Sequence, residues 1–135
     1  MFKLSKKAEY ALMAARYMAL NNNGQCVTAK EISDSYNIPY ELVAKVLQRM
    51  AKMEIIKSFQ GSKGGYSLTR SPDDISLIEL ISSVDTSYKI TSCFKDNSTE
   101  ADCSHIMCCK IRDPLSIVQQ KIDKVFQETN LSSII

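Results

Sequence analysis

Four cysteines, Cys93, Cys103, Cys108 and Cys109, fall within one seventeen-residue segment together with His105, the only histidine of the chain. Thiolates and imidazole hold zinc or iron–sulfur clusters because they are soft, strong donors. A polar segment ahead of a helix can wrap such donors around a metal. Spacing alone leaves the metal open, but no Cys-x-x-Cys pair is present, so zinc is the less favoured occupant. His105 reads as an exposed loop histidine, with ligation as the alternative. The fifth cysteine, Cys26, lies far from these and reads as a buried thiol. An odd count with Cys108 beside Cys109 does not suit a disulfide framework.

The rest of the composition bounds what these residues can serve. The 135 residues are 44% hydrophobic and 24% charged, ordinary for a folded domain with an appended arm. Net charge is only +2, but its distribution is uneven. Residues 1–70 carry eleven basic against five acidic side chains, a net of +6, and the remainder is −4. Such an asymmetry suggests a basic face for phosphate. No apolar run is long enough to span a bilayer, and the first residues lack signal-peptide organisation, so no membrane partner and a cytoplasmic location are expected.

Helical spacing of Ala8, Ala11, Leu12, Ala15, Met18 and Ala19 predicts a helix over residues 5–20, ended by Asn21-Asn22-Asn23-Gly24. Thr28-Ala29-Lys30-Glu31 is a capping box opening a short helix to about Tyr36. Asn37-Ile38 makes a turn, and Pro39 suits the first position of the next helix. That helix should carry an apolar stripe of Leu42, Val43, Val46, Leu47, Met50 and Met53. Extended runs at 55–59 and 66–69 flank Gln60-Gly61-Ser62-Lys63-Gly64-Gly65, which reads as a hairpin turn. Ser76-Leu77-Ile78-Glu79 is a second capping box, for a helix to about Val84. Pattern is lost from 85 to 109. Asp113-Pro114 then reads as a cap and first helical proline, and Leu115, Val118, Ile122 and Val125 form one narrow stripe on a helix of about four turns. The tail, 130–135, ends on two isoleucines expected to be exposed.

The order of these elements is that of a winged helix-turn-helix: mainly α, with a small β-hairpin wing and a long C-terminal helix. The division is 1–84 for the DNA-binding domain, 85–112 for the cysteine-rich loop and 113–135 for the last helix and tail. A helix fits the major groove with its N-terminal residues toward base edges, while a wing tip approaches the backbone or minor groove. The groove-facing residues would be Pro39, Tyr40, Glu41, Ala44 and Lys45; the wing would offer Gln60, Ser62 and Lys63. Tyr40, Lys45 and Lys63 suit phosphate, Glu41 a cytosine amino group, and Gln60 an adenine. Thr28 and Arg49 complete the candidate DNA-binding set.

These residues carry a resemblance. It covers nearly the whole chain and rests on Met1-Phe2-Lys3-Leu4-Ser5, Tyr10-Ala11-Leu12, Thr28-Ala29-Lys30-Glu31-Ile32-Ser33, Ile38-Pro39, Leu47 and Ile55. With the wing from Gln60 to Leu68, its most specific part, the chain resembles the Rrf-type family of bacterial winged-helix regulators, which includes the iron–sulfur regulator IscR, the nitric-oxide regulator NsrR and the cysteine-metabolism regulator CymR. The resemblance implies a transcriptional regulator, a repressor by preference, working as a homodimer held by its last helix on a palindromic operator of double-stranded DNA. It also implies a two-iron or four-iron cluster held by Cys93, Cys103 and Cys109, sensing iron–sulfur status, nitric oxide or redox state. Cys108 would be a spare ligand. Arg112 stands where some relatives have a ligating histidine; in others a partner-subunit carboxylate completes the site, and Glu9 occupies that position. Nine residues separate Cys93 from Cys103, longer than the family's usual five, so cluster type stays open. Gln60 replaces a frequent arginine, which leaves operator sequence open.

Two further functions compete: a regulator of the same fold using thiol redox or zinc, and an interaction module that keeps the fold without reading DNA. An enzyme is disfavoured. His105 is the single histidine, and no glycine-rich phosphate loop follows a strand into a helix.

Overall fold

A short turn with a left-handed residue places two helices at the heart of the molecule. In the computed structural model, which describes residues 3–21, 26–61, 64–85 and 112–135, helix α1 spans Lys6–Leu20, α2 Ala29–Tyr36 and α3 Tyr40–Lys52. Asn37 between α2 and α3 has φ 54° and ψ 47°, a conformation that asparagine tolerates well. The Ile38 amide donates back to the Ser33 carbonyl at 3.1 Å, and Ile38 itself is buried. The α2–α3 junction is therefore fixed by backbone and core together.

Local signals set most of the helix starts. Ser5 caps α1 by accepting from the Ala8 amide at 3.2 Å, and Thr28 caps α2 by accepting from the Glu31 amide at 3.1 Å. Pro39 is one position earlier than expected: with ψ 130° it is the N-cap of α3, and its carbonyl takes the first helical bonds from Leu42 and Val43. The α3 stripe is also narrower than expected. Val43, Val46, Leu47 and Met50 are buried, whereas Leu42 is 42% and Met53 60% exposed. Met53 lies past the helix end, where Glu54 turns left-handed at φ 63° and the amides of Glu54 and Ile55 return to the Ala51 and Met50 carbonyls. That two-bond closure is a Schellman motif without its customary glycine.

The wing pairs β1 (Ile56–Phe59) with β2 (Gly65–Leu68) in antiparallel register, Ile56 opposite Leu68 and Phe59 opposite Gly65. Val27 bridges Tyr66 through two bonds of 2.8 and 2.7 Å, adding a third short extended segment. This closeness explains Gly65. Its φ is +148°, and a Cβ there would lie 2.7 Å from the Val27 carbonyl.

Helix α4 (Leu77–Val84) starts on a complete capping box. The Ser76 amide donates to Glu79 Oε2 at 2.9 Å and the Glu79 amide returns to Ser76 Oγ at 3.4 Å. Arg70 reaches Glu79 Oε1 at 2.7 Å. Partial burial pushes the Glu79 carboxyl up, but the Arg70 hydrogen bond, the Ser76 bonds and the Arg70 charge outweigh it and hold the group below its ordinary value. Because the folded value is the lower, this stabilisation is complete above the unfolded value, about pH 4.3, and fades as pH falls through the folded one. Replacing Ser76 by Ala is expected to cost about 1 kcal/mol at neutral pH, read from urea unfolding.

Helix α5 (Arg112–Glu128) begins before Asp113, so Pro114 is its third residue; a first turn has no intrahelical use for that N–H. The tail then returns to the core, which the sequence did not suggest. Leu131 is fully buried, its amide donates to the Ile75 carbonyl at 2.8 Å, and Arg16 Nε donates to the Ile134 carbonyl at 3.0 Å. Only Ile135 of the last two isoleucines is exposed. The core itself packs alanines of α1 (Ala8, Ala11, Ala14, Ala15) against α3 and α4, with Leu47, Met50, Leu80 and Ile81 filling the space. Small side chains on α1 let the helices approach closely. Tyr17 and Tyr36 meet edge-on, centroids 6.0 Å apart, and tie α2 to α1.

Candidate nucleic-acid interface

Burying one side of α3 decides what its other side offers. With Val43, Val46, Leu47 and Met50 inward, the 3.6-residue period turns Glu41, Lys45 and Gln48 to solvent, with Ala44 half-buried beside them. Pro39 and Tyr40 are exposed at the amino end, Tyr40 by 56%. The structure thus brings Pro39, Tyr40, Glu41, Ala44 and Lys45 onto one outward surface. Gln48 belongs to it as well and was missed in the sequence. Its spacing from Ala44 and Lys45 carried the signal, since residues four and three apart share a face.

The remaining candidates are less uniform. Arg49 is exposed but leans away, its Nη1 donating to the Val84 carbonyl at 3.4 Å, so it joins α3 to the end of α4. The Thr28 hydroxyl is engaged in capping α2. Gln60 is exposed at the end of β1, whereas Ser62 and Lys63 lie outside the described residues. Lys57, on the exposed side of β1, sits 5.5 Å from the Phe59 ring centroid and adds charge to the wing.

Of the candidate ligands, Cys93, Cys103, His105, Cys108 and Cys109 also lie outside the described residues. Glu9 is described: it is half-exposed on the first turn of α1 and pairs with Lys6 at 3.2 Å. Cys26 is a free thiol and only half-buried, contrary to the expectation of a buried one, because it enters the wing at the edge of the core. Among the described residues no three His, Cys, Asp or Glu side chains cluster, and no helix is long and apolar enough to cross a membrane. Helix α5 exposes Ile117, Val118 and Val125, by 56%, 44% and 59%.

A capped helix pair with a two-stranded wing and an appended long helix defines a winged helix-turn-helix of the transcription-regulator class. The chain belongs to the Rrf2 family, iron-dependent transcriptional regulators, whose pattern matches residues 4–135. It is 26% identical over 133 residues to the HTH-type transcriptional regulator NsrR of Bacillus licheniformis, covering 98% of this chain and 92% of that protein. Its fold resembles CymR (YrzC), the global cysteine regulator of B. subtilis, with TM-score 0.76, 20% identity and coverage of 99% and 96% of the two chains. It likewise resembles T. potens IscR, with TM-score 0.73, 21% identity and coverage of 98% and 85%. The family and the NsrR relative are regulators of transcription, not enzymes.

Proposed function

We propose that the chain represses transcription by binding a palindromic operator as a homodimer, its affinity set by an iron–sulfur cluster. The observation that carries the DNA-binding part is the outward surface of α3, where Tyr40, Glu41, Lys45 and Gln48 stand clear of the core. A helix presented in this way enters a major groove with these side chains at base edges and phosphates. The apolar residues Val118 and Val125, seven apart on α5, support a second copy as its partner.

The donor set supports the cluster. Cys93, Cys103 and Cys109 would hold it, with Cys108 in reserve and Glu9 or His105 as the fourth donor, because thiolates suit iron and sulfide better than oxygen ligands do. Bound there, the group supplies a centre that reacts with oxidants and nitric oxide. Glu9 lies on the first turn of α1, so ligation by it would tie that turn to the cysteine segment.

A colourless thiol-based regulator is the second reading. It is favoured by the likeness to CymR, which is also known from Staphylococcus aureus in an oxidised form, at TM-score 0.71 and 22% identity. Anaerobic purification separates the two readings. Broad visible absorbance with iron and sulfide bound to the protein is expected; a colourless protein with intact thiols after reconstitution would contradict the cluster.

A further inference from the structure

A cleft of about 670 Å³ lies between the amino end of α1 and the flank of α3. Five cations line it: Lys6, Lys7, Lys45, Arg49 and Lys52. Among the described residues no carboxylate lines it, and Lys6, one of the five, also pairs with Glu9 at 3.2 Å. Cations gathered so closely repel one another unless an anion joins them.

The floor is different. Tyr10 from α1, Leu42 and Val46 from α3, and Val84 at the end of α4 give it an apolar base. A phosphate backbone needs cations and has no use for an apolar floor. An organic anion with an apolar body uses both, and the volume falls within the range of small-molecule sites. We propose that this cleft binds an amphipathic organic anion, a carboxylate or phosphate-ester head on an apolar body about the size of naphthalene. The head lies among the lysines and the body against Tyr10, Leu42 and Val46.

Occupancy has a consequence for α3. Lys45 belongs to the surface assigned to DNA, so an anion in the cleft draws its charge away from phosphate. Arg49 links the same cleft to the Val84 carbonyl, where α4 ends. This consequence rests on the DNA-binding reading; binding of the anion does not.

The test is calorimetric titration of the full chain with 2-naphthyl phosphate, beside inorganic phosphate and 2-naphthol. One molecule per chain is expected, about tenfold tighter than either fragment, since head and body each contribute. Lys7→Glu and Leu42→Asp, both at exposed positions, should each remove that advantage, while Lys30→Glu, exposed on α2 and outside the cleft, should keep it. Equal affinity for naphthyl phosphate and inorganic phosphate, or binding kept in both cleft variants, would overturn the site. So would binding lost in Lys30→Glu alone. In a second arm, naphthyl phosphate should weaken binding to a labelled duplex of about 20 base pairs. Anion binding with unchanged duplex affinity would overturn the link to DNA and leave the site standing.

Discussion

Replacing Cys103 or Cys109 by Ser should strip the anaerobically isolated protein of most of its iron and visible absorbance without unfolding it. Each substitution trades a soft thiolate for a hydroxyl that iron binds poorly, and even weaker perturbations around a metal cost about 10–100-fold in affinity. The fold should persist because its core is made elsewhere. Leu47, Met50, Ile75, Leu80, Ile81 and Leu131 are buried together in one apolar cluster drawn from α3, α4 and the segments around them. Cys26→Ser is the matched control, since Cys26 belongs to the wing side of the molecule and is a free thiol. Iron content measured against circular dichroism decides the matter. Full iron in both variants would remove these cysteines from the ligand set.

The second large effect concerns DNA. Lys45→Ala with Lys63→Ala removes four cations from a dimer, and each phosphate contact contributes about 0.9 to the slope of log affinity against log salt. The slope should therefore flatten by between three and four, roughly, with affinity falling about a hundredfold near physiological salt. Fluorescence anisotropy over a salt series reads both quantities. Gln48→Ala should act otherwise, leaving the slope intact and relaxing preference at one base pair by about 1–3 kcal/mol. An unchanged slope in the double variant would place the phosphate contacts on other residues.

Much of this architecture was legible in the sequence because its signals are local. The Thr28 and Ser76 caps, the Asn37 turn and the glycines of the wing each act over a few residues, and each recurs in the structure within a position or two. What escaped depends on packing. Leu42 and Met53 have the spacing of a stripe, but α3 buries only a narrow arc and Met53 stands beyond the closure at Glu54. Nothing near Asn130 announces that Leu131 will return to pair with Ile75, since that contact spans more than fifty residues. Gln48 was overlooked for a different reason. A polar residue on a helix is usually a solvated one; spacing puts Gln48 on a face with Lys45, and the burial of Val43 and Leu47 shows that this face points outward. The cysteine segment is a ligand candidate by donor type alone, because spacing does not specify geometry.

The measurement that bears most directly on the whole is a hydroxyl-radical footprint of the anaerobically isolated protein on genomic fragments that it selects in solution. A dimer presenting two copies of α3 should protect two half-sites of inverted sequence about one helical turn, or a multiple of it, apart. Protection should disappear in the Lys45→Ala, Lys63→Ala double variant. Failure to select any fragment at low salt, or selection with no paired protection, would contradict a dimeric DNA-binding regulator.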